Sequence, residues 1–233
     1  MTTMLKRSKD RKVANSLTPA GGVRIANSFG LPAGKEYSCP NATSVCNGIC
    51  YAGKLEKLYK GVKENLMHNW NALKDATYWD AFDMLSVMIL DFKKECEKFD
   101  APKQFRIHWD GDFFSQAYID AWHDVILYND DVQFWVYTRV PSAAIKLREL
   151  TNLSLYFSTD SDNVEAGLEL NAQYGIKLAF LGKTFVTAKE LGNGIRSAIC
   201  PEQRKQIALN GACVACGICT EGKANIAFSI SKK

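Results

Sequence analysis

The sequence predicts an α/β fold, a partial (β/α) barrel of about six mostly parallel strands, on three observations. From residue 104 to 181, short continuous apolar runs alternate with amphipathic helical stretches, the pattern of a parallel sheet covered by helices. The chain has 233 residues, a length common for a single α/β barrel. No glycine-rich dinucleotide fingerprint follows any strand, which places a flat doubly wound sheet second.

Residues 23–28 read as a first strand, bounded by Gly22 and Gly30. Residues 54–74 read as a helix, because Leu55, Leu58, Val62, Leu66 and Trp70 recur at three or four positions and form one apolar stripe. Residues 77–98 make a second helix, with Trp79, Phe82, Leu85, Ile89 and Phe92 on one face and Pro102 punctuating its end. The alternation then begins: strand 104–109, helix 115–128 with Ser115 as N-cap, strand 132–138, and helix 141–150 entered through Pro141. Strand 153–159, helix 163–174, strand 176–181 and a last strand at 225–231 complete the series. The expected organisation is a basic, solvated arm over 1–22, a barrel with an N-terminal cysteine loop over 23–199, and a cysteine-rich segment over 200–233 that carries the final strand.

Apolar residues make up 47% of the chain and charged residues 23%, enough for a buried core. The net charge of +4 is uneven, because Lys6, Arg7, Lys9, Arg11 and Lys12 crowd the N-terminus. Such a run reads as a solvated arm or as a phosphate-contacting arm for nucleic acid. No apolar run approaches the ~18 residues of a membrane span, and no hydrophobic signal core follows the basic N-terminus. The expected location is therefore the cytoplasm. In that reducing compartment, eight cysteines in tight clusters point to metal rather than disulfides.

Cys213, Cys216 and Cys219 are spaced by two residues each, and Cys200-Pro201 supplies a remote fourth. That is the ligand pattern of a [4Fe–4S] cluster in bacterial ferredoxins; a four-cysteine zinc site is the structural alternative. Cys39, Cys46 and Cys50 form a second group with no obvious fourth ligand, which implies an open metal position, or a site closed by His108 or shared with Cys200. Cys96, alone in the second helix, reads as a small buried hydrophobe. Polar residues gather at successive strand ends, where α/β proteins bind ligands. His108, Asp110 and Asp112 follow the 104–109 strand, Thr138 and Arg139 the next, and Ser158 and Asp160 the third. Alternation along a strand puts His108, Asp110 and Asp112 on one face. Arg139 has the planar fork that clamps a carboxylate or phosphate, or pairs with a neighbouring acid. The bland reading of Asp110 and Asp112 is an Asx-type turn around Gly111.

Two resemblances follow from these stretches. FRIHWDGDFFSQAYIDAWHDVI, FWVYTRV and LYFSTDS resemble successive strand–loop units of the radical S-adenosylmethionine enzymes. That resemblance implies a partial barrel, one or two [4Fe–4S] clusters, S-adenosylmethionine as a cofactor, and a small ligand or electron donor as partner. Asp110, Asp112 and Arg139 would then be catalytic, and Gly111, Asp112, Thr138, Ser158 and Asp160 would hold the cofactor. This chain departs from the pattern at Gly53, where a third loop cysteine is expected, at Tyr51, one position early, and at Asp112, where the family carries glutamate. The chain also resembles a bacteriophage family named after a mycobacteriophage gene product. The shared features are a Cys39-Pro40…Cys46…Cys50-Tyr51-Ala52 loop, a Gly111-Asp112-Phe113-Phe114 block before a Tyr118…Ala121-Trp122 helix, and a C-terminal CxxC. It implies a phage-encoded iron–sulfur protein.

Overall fold

The computed structural model describes residues 4–14, 16–18, 20 and 22–231. The elements run in the order α1 (Ser44–Ile49), α2 (Tyr51–Leu58), α3 (Lys60–Leu73), α4 (Tyr78–Lys98), β1 (Gln104–Ile107), α5 (Gln116–Leu127), β2 (Gln133–Thr138), α6 (Pro141–Leu147) and β3 (Leu153–Thr159). They continue with α7 (Val164–Tyr174), β4 (Lys177–Gly182), α8 (Phe185–Glu190), β5 (Ser197–Ile199), α9 (Ala212–Cys216) and β6 (Asn225–Ser229).

The six strands form one all-parallel sheet in the order β1-β2-β3-β4-β6-β5. Parallel strands need crossovers of a dozen residues or more, and here α5, α6, α7 and α8 supply them. Crossovers of one hand that advance in one direction leave their helices on one face; the order reverses only at β6 and β5, and α9 lies on the other face. Phe105, Ile107, Phe134 and Val136 accordingly pack against α4, α5 and α6. Phe157, Leu178, Phe180 and Ala227 pack against α6, α7 and α8. The residues that alternate with them, Trp135, Tyr156, Ala179 and Ile226, face the other way and are covered by Val13, Cys213, Val214, Ile218 and Cys219. The structure shows an open six-stranded parallel sheet, ended by β5 on one side and flanked at β1 by the chain around residues 27–31.

Local signals explain most element ends. Thr77 and Asp80 form the capping box that starts α4. The Ser115 hydroxyl accepts from the Tyr118 amide at the start of α5. Pro141 opens α6, and Gly175 at φ 68° ends α7 in the left-handed region that favours glycine.

Three expectations are corrected. Residues 23–28 do not form a strand; the chain pairs with β1 slightly later, through Phe29 N–H to Arg106 O (3.1 Å) and Leu31 N–H to Asp110 O (3.0 Å). The preceding residues are turned away by antiparallel bridges between Leu17 and Val23 and between Ser8 and Ser28. The helix expected over 54–74 is divided at Tyr59, whose extended backbone (φ −124°, ψ 103°) ends α2 and caps α3. The basic arm is seated rather than solvated. Leu5 and Val13 are buried, Arg7 pairs with Glu95 (2.7 Å), Lys12 with Glu202 (2.8 Å), and Asp10 with Arg106 (2.6 Å). Its apolar residues anchor it, and these ion pairs spend charges that a phosphate-binding arm would offer. Residues 1–3, 15, 19 and 21 of that arm lie outside the described residues. No helix among the described residues is long and apolar enough to cross a membrane.

Gly167 of α7 faces β3 so closely that a methyl group there would fall directly on Thr159 Cγ2. Gly167→Ala should therefore lower stability by about 1–3 kcal/mol, against the ~1 kcal/mol that helix propensity alone would add. Urea denaturation of the two proteins measures the sign.

Candidate functional site

Two cysteine groups occupy different parts of the sheet. Strands β5 and β6 bring the C-terminal group together. Cys200 follows β5 and donates its amide to Ala227 O of β6 (3.2 Å). Cys213 and Cys216 lie one turn apart in α9, which Gly217 closes at φ 68°. Cys219 follows. Tyr156 fastens this stretch to the inner face, its hydroxyl donating to Ile218 O (2.9 Å) and Ala224 O (3.0 Å), and Ser154 Oγ donates to Thr220 O (2.9 Å). Cys200, Cys213, Cys216 and Cys219 all line one small cavity of about 20 Å³, together with Pro201, Glu202, Ile207, Ala212 and Ile226.

All eight cysteines are free thiols. Burial pushes Cys213 up to about 12, opposed by the Arg106 guanidinium. It pushes Cys219 up to about 11, opposed by a hydrogen bond with Tyr137. Cys200 is raised for the same reason. These thiols stay protonated at neutral pH unless a cation arrives to bind the sulfur.

The N-terminal group sits over the strand tips. Thr43 caps α1 and donates through Oγ1 to Asp160 (2.7 Å), and Asp162 accepts the Ser44 amide (3.1 Å). The acids after β3 therefore hold the helix that carries Cys46. Cys50 caps α2, its sulfur accepting from Gly53 N–H (3.3 Å). Cys39 lies beside Asp112 and Asp110, and burial first and these acids second push it up to about 12. Cys50 is also raised, by burial and by Asp110. Among the described residues, no group of three or more histidine, cysteine, aspartate or glutamate side chains is arranged to hold a metal ion.

The strand-end residues do converge, but largely on one another. Asp112 accepts from Thr138 Oγ1 (2.6 Å), Arg139 N–H (2.7 Å) and its neighbour Phe113 N–H (2.8 Å). Arg139 pairs with Asp160 (2.8 Å), the ion-pair alternative weighed from the sequence. Gly111, at φ 81°, packs its Cα against Ser38 and Leu31. Asp110 accepts from Gly111 N–H (2.8 Å), one residue on rather than the two of the expected Asx-type turn. Its other oxygen meets no donor and faces Glu56. Two carboxyl groups in contact hold a proton between them, so burial and Glu56 together raise Asp110 well above the carboxylate range. Ser158 sits on β3 opposite Ala179 of β4, one residue on from the tightly packed Phe157.

His108 does not share the face of Asp110 and Asp112. Its φ of 57° breaks the strand alternation, and the ring packs among Phe29, Phe113, Tyr118 and Trp122 on the helix-covered side. Nε2 meets Tyr118 Oη at 2.8 Å. Cys96 is buried in α4, as expected of a small hydrophobe.

Sequence reasoning passed over Arg106, which lies with Trp135 and Tyr137 on the inner face between the two cysteine groups. Arg106 donates to Tyr51 Oη (3.2 Å) in the cysteine loop, lies 5.1 Å over the Trp135 ring, and acts on Cys213 and Cys219. The available signal was a charged residue between Phe105 and Ile107 in a strand expected to be buried on both faces.

Fold and site define a single-sheet parallel α/β protein with one cysteine group over its strand tips and another against its inner face. The chain belongs to the gene product 88 family, whose model matches residues 3–222. The Gene 88 protein of Mycobacterium phage L5 is 49% identical over 240 residues, covering 98% of this chain and 99% of the relative. The Gene 88 protein of Mycobacterium phage D29 is 48% identical over 241 residues, with the same coverage. No solved structure matches.

Burial alone lowers His108 to about 3. A depressed folded value stabilises the fold above the unfolded value near 6.5, and that stability is lost as pH falls toward 3, at about 1.4 kcal/mol per pH unit. His108→Asn, with a residue that tolerates positive φ, should lower stability at pH 7. It should also flatten the dependence between pH 6.5 and 4. Denaturant midpoints across that range test it, and an unchanged slope would refute the assignment.

Proposed function

We propose that this protein is an iron–sulfur protein in which Cys200, Cys213, Cys216 and Cys219 hold one [4Fe–4S] cluster. The observation that carries the reading is that four free thiols, drawn from positions 200 to 219, line a single cavity. A zinc ion asks four sulfurs to stand ~2.3 Å from one point, an arrangement that no group of described residues meets. A cluster brings inorganic sulfide of its own and spreads its four cysteines around a larger volume, so the donor set of four cysteines supports it rather than the small space between them.

When bound, such a cluster supplies one-electron transfer. The chain's own residues would do the rest. Tyr137 hydrogen-bonds Cys219, Tyr156 and Ser154 fix the loop that bears the ligands, and Val13 and Ile226 pack beside Cys213 and Cys219.

A second centre at Cys39, Cys46 and Cys50 draws support from Cys39 and Cys50 both lying beside Asp110. A ligand pocket for S-adenosylmethionine at the strand tips draws less. Asp112, Thr138, Arg139 and Asp160 spend polar atoms on one another, which suits a staple across the tips of β1, β2 and β3 better than a catalytic set. A nucleic-acid arm draws least, since Arg7 and Lys12 are already paired.

Anaerobically purified protein should be brown and carry about four irons and four sulfides per chain. Replacing Cys213 and Cys216 by alanine should remove them, while replacing Cys39 and Cys50 should leave that complement. Colourless protein, or one zinc per chain without sulfide, overturns the reading. About eight irons would establish the second centre.

A further inference from the structure

Arg106 lies on β1, pointing to the inner face, and is held from three sides. Asp10 takes Nη1 at 2.6 Å, Tyr51 takes Nη2 at 3.2 Å, and the guanidinium lies over the Trp135 ring. Two donors in this arrangement are buried without an acceptor: Arg106 Nε and Trp135 Nε1. Trp135 is 3% exposed and packs in one cluster with Cys213 and Cys219. A buried N–H without an acceptor costs about 1–3 kcal/mol, and two beside the same thiols call for acceptors that the protein does not itself provide. Both nearby cations come as ion pairs, Arg106 with Asp10 and Lys12 with Glu202, which itself lines the cavity, so the two unpartnered N–H groups are what sets the Arg106 side apart.

We infer that Arg106, with Trp135, sets the redox poise of the cysteine cavity, the two free N–H groups being the donors that sulfurs on the Cys213–Cys219 side would take up. This rests on the cluster reading above. Each added electron makes a thiolate-bound cluster more negative. N–H donors to sulfur favour the reduced state and raise the potential, whereas the Arg106–Asp10 pair adds no net charge. Arg106 is thus a positioning and tuning residue rather than a ligand.

The test is the reduction potential of the anaerobically prepared full chain, followed by electron paramagnetic resonance during a redox titration, beside its iron content. Arg106→Met is made together with Asp10→Asn, so that neither partner is left as an unpaired buried charge. The double variant should keep its iron and shift the one-electron equilibrium at least tenfold toward the oxidised form, ~59 mV lower. Trp135→Phe, which keeps every charge, should shift it in the same direction by less. A fully loaded double variant with an unchanged or raised potential overturns the inference and leaves the cluster reading standing. Wild-type protein that takes up no iron overturns both. If the double variant loses iron, Trp135→Phe decides: a lowered potential supports the inference and an unchanged one overturns it.

Discussion

A full positive charge stands on the inner face of an otherwise aromatic and aliphatic sheet, and three distant parts of the chain meet to hold it there. Arg106 reaches Asp10 from the N-terminal segment, Tyr51 from the cysteine loop and Trp135 from the adjoining strand. Both charges of the Asp10–Arg106 pair keep 13% of their side-chain exposure, so neither has water to fall back on. Breaking such a pair from one side costs roughly 3–5 kcal/mol, because the remaining charge is left uncompensated. The N-terminal segment must therefore dock. Once docked, its next residues reach the C-terminal cysteines: Gly211 N–H donates to Arg11 O (2.8 Å), and Val13 is buried against Cys213 and Cys219. One ion pair thus commits the first strand, the chain's beginning and its cysteine-rich end to a common arrangement.

The two cysteine groups face opposite electrostatics. Cys39 and Cys50 lie among carboxyl groups, with Asp110 close to both and Asp112 close to Cys39. Cys213 and Cys219 feel Arg106, and Cys200 and Cys213 feel Lys12, each cation having its acid partner, Asp10 or Glu202, beside it. Thiolates carrying an anionic cluster are stabilised by the second environment and opposed by the first, where only a bound cation would relieve the crowding of acids and sulfurs. This contrast separates the two groups in a way that their spacing does not. It also accounts for the lattice at the strand tips, where Arg139 is tied to Asp160 and the Arg139 amide to Asp112.

Much of the sheet was legible because parallel strands buried on both faces read as apolar runs. The bounds of β3 match the expected strand, and β2, β4 and β6 differ from theirs by two residues at most. Ser115 and Pro141 announced their helices by capping chemistry. The elements missed were short. The three residues of β5 and the five of α9 hold too few positions to show a period, and left-handed glycines define α9 more than its apolar residues do. The site was half legible. Spacing identified all four cysteines that line the cavity, and strand ends identified Asp112, Thr138, Arg139 and Asp160 as neighbours. The direction of their bonding was not written in the sequence, since an aspartate that staples and one that binds a ligand share the same letter. His108 was misplaced because alternation assumes extended backbone, and at φ 57° that assumption ends.

Position 53 shows how a missing ligand can be a used position. A third loop cysteine would place its Cβ 3.6 Å from Cys50 Sγ and 3.8 Å from Ala33 Cβ, ordinary contact distances. Steric exclusion therefore does not explain the glycine. What the position supplies is its amide, which donates to Cys50 Sγ and makes that sulfur the cap of α2. A helix amide pointed at a sulfur favours the thiolate, here against the burial and the carboxylate that oppose it. Cys39 approaches the same acids from the preceding loop, held by Ser38, whose hydroxyl binds Pro32 O (2.7 Å). The loop is accordingly an arrangement in which sulfur comes from before the helix and backbone N–H from within it. Asp110 is the residue that both Cys39 and Cys50 adjoin.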